Sequence, residues 1–544
     1  MTFGIKQLVG IAAYRSGDHE VRKGWFGTKQ PLFGADWGPW ANYAWAVAAG
    51  SHFAHILEFG VALLCYMLLY HDGAWLEEAK EWQVNWVARS YFALQLGPHP
   101  QLSRQGADCH DVGDQHWING NLPLGEGASA ELLPIANPMS VHPQYKRHRK
   151  SWGINAIGSM VVEVEAEDGT CGAGVSIGGE AGCYIVENHL SRFCEGQDPR
   201  NIELMWDQMF RATINYGRKG LPVQALSAVD LALWDLLGKL RREPVYMLLG
   251  GATKAILPMY TTCSRPDIGK KLGFVGCKIP CPYGPADGPE GMRKNVEYCQ
   301  QARELVGEGF PLMLDCYMAL TVPYSITLAR RLAEPDLHFT WMEEFLPPDE
   351  YDGYEEVRKA VGNTGLMLTT GEHEYTRFGF KQLIDRKAAH ILQPDITWLG
   401  GITEARRVMA LAAANDVLVV PHGSSIYSYH LQFAFVNAPL GEFINLSADS
   451  CEIKPYFGGL FPDEPLPKDG KITLEQINKP GFGCTLKKDG LRRPYARSPE
   501  ASATNRALNL AAEKAQADAK PVMPLVGSYM PGLDANRHKR KNPL

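Results

Sequence analysis

Five short apolar runs in the second half of the chain each end in an acid or a histidine: PLML-Asp315, FTWM-Glu343, LMLTTG-Glu372, HILQP-Asp395 and VLVVP-His422. Their terminal residues are 28, 29, 23 and 27 positions apart, close to the length of one strand plus one helix. A (β/α)8 barrel of roughly 250 residues repeats about every 31 and carries its chemistry at the carboxyl ends of its strands. The spacing therefore predicts three carboxylates, then an Asp and a His, on one rim of a parallel barrel.

Composition narrows the function classes. The 544-residue chain is 45% hydrophobic and 21% charged with a net charge of −6, ordinary for a soluble globular protein and without the basic footprint of a nucleic-acid binder. Twelve cysteines lack CxxC pairs, which reads as reduced thiols of a cytoplasmic protein. Residues 56–70 (ILEFGVALLCYMLLY) carry one charge, Glu58. A membrane span needs about 20 apolar residues, and His52, His55 and Glu58 break this run. A buried or oligomer-interface helix is expected there rather than a span. Seven of the 13 tryptophans fall within residues 25–86, so this stretch differs from the rest and reads as an insertion.

Along the chain, IKQLVGIAAY looks like a first strand, and residues 120–143 read as a Gly-, Pro- and Asn-rich loop. SMVVEVEAEDG followed by GAGVSIGGE predicts a hairpin, and Leu226, Val229, Leu233, Leu236, Leu237 and Leu240 recur at helical spacing before Gly250-Gly251. From about residue 256 strands and helices alternate, the pattern of a parallel barrel. The expected organisation is an atypical amino-terminal segment (1–105), an α+β capping domain (106–254), the barrel (255–445), a segment returning to the cap (446–490) and a disordered polar tail (491–544). The tail ends in the basic run 537–541.

Three strand-end carboxylates within a few ångströms repel one another unless a cation intervenes, and hard oxygen ligands suit Mg2+. Asp315, Glu343 and Glu372 are the expected metal ligands. In Trp341-Met342-Glu343-Glu344 alternate residues face opposite ways, so only one glutamate is expected inside; Glu343 shares a face with Trp341. An Asp395 carboxylate beside His422 would fix the imidazole tautomer and raise its basicity. Such a dyad next to a metal can remove a proton alpha to a carboxylate. His373 follows Glu372 directly and faces inward only if the strand has ended before it.

CHDVGDQHWI, SWGINAIG, VVEVEAEDGTCG, VDLALWDLLGKL, PVYMLLGG, LMLDCYM, WMEEFLPP, TTGEH, QPDITWLGG, VVPHGSS and KPGFG occur in this order between about residues 106 and 488. In these motifs the chain resembles the mandelate racemase subgroup of the enolase superfamily, and within it the acid-sugar dehydratases. The resemblance implies a capping α+β domain over a (β/α)7β TIM-like barrel, one Mg2+ on Asp315, Glu343 and Glu372, and His422 with Asp395 as general base. It further implies Glu442 near the metal-bound carboxylate, and His110 (in CHD) and Arg149 as contacts to a small-molecule sugar acid. Homo-oligomers are common in the superfamily and are expected here. The implied reaction is loss of the C2 proton and the 3-OH from an aldonate, L-rhamnonate foremost, to give a 2-keto-3-deoxy acid.

Two departures shape this reading. The racemases of the subgroup carry two lysines on the second barrel strand, whereas here it reads Lys278-Ile279-Pro280. The remaining Lys278 is expected to contact substrate, and the missing second base favours one-sided elimination over racemisation or epimerisation. His422 itself, or His373, would serve as the acid. About 90 residues also separate the first strand from CHD, where the family has a short connection. The alternatives are an isomerase of the same superfamily, or a degraded barrel in a membrane-associated protein.

Overall fold

A computed structural model describes residues 102–111 (backbone only), 135–142, 157–447, 449–495 and 499–518. The chain divides into two compact units, residues 1–98 with 510–544, and residues 99–509. The second holds nearly all of the described residues. The Trp-rich stretch, the first expected strand and Arg149 lie outside them.

Strands β1 (Leu102–Asp111), β2 (Ser159–Ala166) and β3 (Cys171–Ile177) form an antiparallel sheet in that order. The β2–β3 hairpin turns at Asp168-Gly169, where Gly169 has φ +84° and the Asp168 carboxylate accepts from the Thr170 N–H. The CHD motif lies on β1, with His110 in register with Val161. Helices α1 (Gly179–Asn188), α2 (Ile202–Thr213) and α3 (Leu221–Arg241) follow.

Helix α3 is apolar on every side because it is covered on every side. Sixteen of its 21 residues are buried, between β3 and a barrel helix. Among the described residues it is the one helix long and apolar enough to cross a membrane. Its approach to the sheet depends on glycine: a Cβ on Gly174 would lie 2.0 Å from the Ala228 carbonyl oxygen. Asp235, also buried, accepts from the Ala173 N–H at 2.8 Å, the Lys239 ammonium at 2.7 Å and the Phe482 N–H at 2.9 Å. A segment some 250 residues later in the chain thus completes the solvation of this carboxylate.

The barrel then runs β4 (Ile256–Thr262), α5 (Pro266–Lys271), β5 (Cys277–Pro280), α6 (Gly288–Val306), β6 (Leu312–Asp315), α7 (Val322–Leu332), β7 (Trp341–Glu343), α8 (Tyr351–Val361), β8 (Met367–Thr370), α9 (Thr376–Asp385), β9 (Ile391–Leu392), α10 (Gly401–Ala413), β10 (Leu418–Val419), α11 (Ile426–Ala434) and β11 (Gly441–Ile444), with the single-turn helix α4 (Val245–Leu248) preceding it. Eight parallel strands alternate with seven helices, and β11 returns to pair with β4. This is the (β/α)7β arrangement with an α+β cap. Between β10 and β11, the Val419 N–H donates to the Asn437 carbonyl at 2.9 Å. Tyr260, Met313, Trp341, Ile391 and Val420 fill a buried cluster contributed by five of the strand segments.

Cap and barrel are joined by buried polar contacts. Trp206 Nε1 donates to the Gly400 carbonyl, the Gly400 N–H to Ser227 Oγ, and Trp234 Nε1 to Thr403 Oγ1, all at 2.8–2.9 Å. The Thr403 N–H donates to Asp230 at 3.0 Å, and burial pushes that carboxyl up to about 7. The tail expected to be disordered contains a helix, α12 (Pro499–Asp518). Arg506 pairs with Glu167, and the Asn509 amide donates to the Arg192 and Glu195 carbonyls. Local polarity alone does not reveal these long-range partners. Cys171, Cys263, Cys277, Cys281, Cys299, Cys316, Cys451 and Cys484 carry free thiols.

Replacing Gly174 by Ala should force α3 away from β3, at a cost of about 1–3 kcal/mol typical of overpacking. A lower denaturant midpoint with an unchanged m-value would show it.

Candidate active site

Parallel pairing brings the strand-end residues together. Asp315 is in register with Glu343 on the next strand, and with Pro280 on the preceding one. Strand β8 ends at Thr370, and Gly371, at φ +135°, turns the chain so that Glu372 and His373 both face the site. Asp395 and His422 each lie three residues beyond the last residue of β9 and β10. Glu442 sits on β11 in register with Tyr260.

The imidazole of His422 is buried and Nδ1 lies 2.7 Å from Asp395 Oδ2, while Nε2 lies 3.7 Å from Glu372 Oε2. Asp395 is itself held by the Thr397 N–H at 2.7 Å and the Thr397 hydroxyl at 2.6 Å. Burial alone would lower His422, but Glu372, Asp395 and Glu442 raise it to about 10. His373 Nδ1 lies 2.8 Å from Glu344 Oε1 and 3.6 Å from Glu372 Oε1. Burial opposes its charge, and Glu344 and Glu372 outweigh that and raise it to about 9. The Trp398 ring lies 5.3 Å from the His373 ring and 5.5 Å from the His422 ring.

Lys278 is 1% exposed and pairs with both Glu343 and, at 2.9 Å, Glu442. Burial disfavours its charge, yet these carboxylates hold it well above the usual lysine range. The other Glu343 oxygen accepts from Gln393 Nε2 at 2.6 Å and Trp341 Nε1 at 3.1 Å. Glu442 also accepts from Thr262 and from the Gly423 N–H at 2.8 Å. Burial would raise Glu442; Lys278 and His422 outweigh it and bring it to about 2.

Both glutamates of the WMEE motif are buried, against the expectation that one would face away. The strand ends at Glu343, and Glu344 has φ +42°, so strict alternation no longer applies to it. Glu344, Glu372 and His373 form a group with ligand atoms within 4.8 Å of one another. Burial pushes Glu343 up to about 8, with Asp315, Glu442 and Glu372 adding to it and Lys278 opposing. Glu344 rises to about 7, again through burial first, with Glu372 and Asp315 adding and His373 opposing. Crowded acids whose ionisation is held back by burial and by one another fit a hard divalent cation, which would relieve both. Among the described residues, the group whose ligand atoms lie close enough to share one ion is Glu344, Glu372 and His373; Asp315 and Glu343, the other expected ligands, add their charge to the same rim.

Backbone strain collects at the same rim. Tyr317, Met318, Glu344, Thr376 and Ser425 all have φ between +42° and +61°. Each lies within six residues of the end of β6, β7, β8 or β10. Such conformations cost of order 1–3 kcal/mol each and persist where surrounding contacts hold them.

Of the residues singled out in the sequence, Lys278, Glu343 and Glu442 form one ion-paired group and Glu372, His373, Asp395 and His422 another, with Glu442 acting electrostatically on His422. Asp315 joins them by strand register and through its repulsion of Glu343. His110 is placed only by its backbone position on β1. Glu344, Gln393 and Trp398 were not singled out. The doubled glutamate and the QPDITWLGG motif contain them, but only the end of each strand shows where their side chains go. Lys278→Met should leave Glu343 and Glu442 without their cation. Losing one partner of a buried pair costs about 3–5 kcal/mol, which equilibrium unfolding of the folded variant would measure.

A model of the mandelate racemase/muconate lactonizing enzyme amino-terminal domain matches residues 147–250, and one of the enolase C-terminal domain-like fold matches residues 270–490. The chain is 50% identical over 391 residues to an L-rhamnonate dehydratase of Saccharopolyspora erythraea, covering 72% of this chain and 96% of that protein. It also resembles the crystal structure of a Gibberella zeae rhamnonate dehydratase complexed with Mg, with 45% identity and a TM-score of 0.69. That match covers 73% of this chain and 97% of the other. A Streptomyces coelicolor racemase with bound magnesium is 25% identical with a TM-score of 0.56, over 71% of this chain and 97% of the other.

Proposed function

The chain belongs to the mandelate racemase/muconate lactonizing enzyme family, and from that premise we propose that it is a Mg2+-dependent acid-sugar dehydratase acting on L-rhamnonate. The observation that carries this reading is the His422–Asp395 pair at 2.7 Å, set beside the buried carboxylates. The substrate assignment draws on the 50% identical dehydratase and the Mg-complexed relative.

Asp315, Glu343 and Glu372 would hold the cation, which when bound supplies positive charge where the substrate carboxylate gains negative charge. Asp395 accepts from His422 Nδ1–H and so orients Nε2; with a cation on Glu372 and its neighbours, the negative charge that holds the imidazole protonated would be withdrawn, and Nε2 would then be free to take the C2 proton. The electron pair left at C2 expels the 3-hydroxyl, which departs as water once His373, or His422 on the same face, delivers a proton. The resulting enol ketonises to the 2-keto-3-deoxy acid. Pro280 stands where a second lysine would be needed, so no such base serves the opposite face of C2, and elimination is favoured over racemisation. His110 and Arg149 are proposed to read the distal hydroxyls, with Lys278 and Glu442 beneath the carboxylate. The domain limits set out from the sequence, a homo-oligomeric assembly and a cytoplasmic location complete the reading.

His422→Asn should abolish both 2-keto acid release and C2–H exchange in D2O while Mg2+ binding persists; retained exchange would move the base elsewhere. In calorimetric Mg2+ titrations Glu343→Gln should bind the ion far more weakly, whereas Glu344→Gln should keep most of the affinity. The reverse order would transfer the ligand role to Glu344.

A further inference from the structure

The loop that carries Glu372 and His373 is held from outside the barrel. Lys219, in the cap between α2 and α3, places its ammonium 2.8 Å from Glu374 Oε1, 2.7 Å from Asp349 Oδ1 and 3.0 Å from the Tyr351 hydroxyl. Glu374 is 1% exposed on its side chain. It accepts from the Tyr351 hydroxyl and, at 2.7 Å, from the Tyr375 N–H. The barrel leaves room for this carboxylate: a Cβ on Gly379 would lie 2.1 Å from Glu374 Oε1. A second cap residue, Gln224, donates to the Tyr375 hydroxyl at 2.8 Å.

The loop needs holding. It opens at Gly371 with φ +135° and closes at Thr376 with φ +58°, a conformation a β-branched residue adopts only under constraint. Within the loop, Glu372 approaches His422 and His373 approaches Glu344. A buried carboxylate without a cation is costly, so loss of the Lys219 charge acts directly on Glu374, two residues from Glu372.

We propose that Lys219 is a positioning residue: through its ion pair with Glu374, the capping domain clamps the strained 371–376 loop and sets the placement of Glu372 and His373. The turnover arm of the test rests on the dehydratase reading and the Mg2+ arm on its ligand assignment, whereas the exchange arm rests on neither. In the full-length protein, Lys219→Met should speed amide hydrogen exchange across residues 371–376 in the absence of metal. It should weaken Mg2+ binding by roughly 10–100-fold, the range seen when groups that orient metal ligands are lost, and lower kcat with little change in KM. Lys219→Arg, which restores the charge, should recover all three.

A stitch that merely joins two domains would lower the melting temperature and leave Mg2+ affinity and the kcat–KM split alone. A folded Lys219→Met protein with wild-type exchange at 371–376 and wild-type Mg2+ affinity overturns the proposal. If that variant does not fold, Glu374→Gln, which keeps the side-chain shape, is put through the same measurements: faster exchange and weaker Mg2+ binding support the clamp, and wild-type values of both overturn it. Should the wild-type protein release no 2-keto acid from any sugar acid, the dehydratase reading fails while amide exchange still decides the clamp.

Discussion

Lys278 sits at 1% exposure between Glu343 and Glu442, a buried cation whose ammonium keeps Glu442 ionised within a crowd of acids. Asp315, Glu343, Glu344, Glu372 and Glu442 crowd the carboxyl ends of neighbouring strands, and burial alone would drive such acids towards neutrality. Lys278 holds Glu442 ionised and opposes the rise of Glu343. The two histidines do the same for Glu372, which burial would raise but which His422 and His373 bring below its usual range. Positive and negative groups here sustain one another, so the cluster behaves as a unit rather than as separable pairs.

Much of this layout was legible in the sequence. Asp315, Glu343, Glu372, Asp395 and His422 each close an apolar run, and the run spacing matches a strand-helix repeat. The barrel order, the hairpin and the helix through residues 226–240 followed from periodicity. What was not legible depends on backbone geometry or distant partners. Glu344 faces the site because its φ is +42°, which no propensity signals. The CHD motif carries loop-like residues yet pairs as a strand because Val161 and its neighbours offer a partner edge. Helix α12 is weakly patterned and is anchored by Glu167 and by two carbonyls near residue 193.

Relatives sharing this architecture include proteins named racemase as well as dehydratase, so the fold alone does not choose the reaction. The choice is made by single positions at strand ends. Lys278-Ile279-Pro280 leaves one lysine on the second barrel strand, already committed to two glutamates. The imidazoles of His422 and His373 both lie within 5.5 Å of the Trp398 ring and both approach the Glu372 carboxylate.

The carboxylate of Asp235 has a bearing on how such a chain reaches its native state. Buried in the long cap helix, it is satisfied in part by the main chain at Phe482, and the Glu243 carbonyl likewise accepts from the Gly481 N–H. During synthesis on the ribosome the cap helix emerges long before those partners do. Contacts so distant in sequence slow folding, and Asp235 gains its full set of partners only when residues 481–482 are in place. The stability of the cap helix is therefore coupled to chain that lies beyond the barrel.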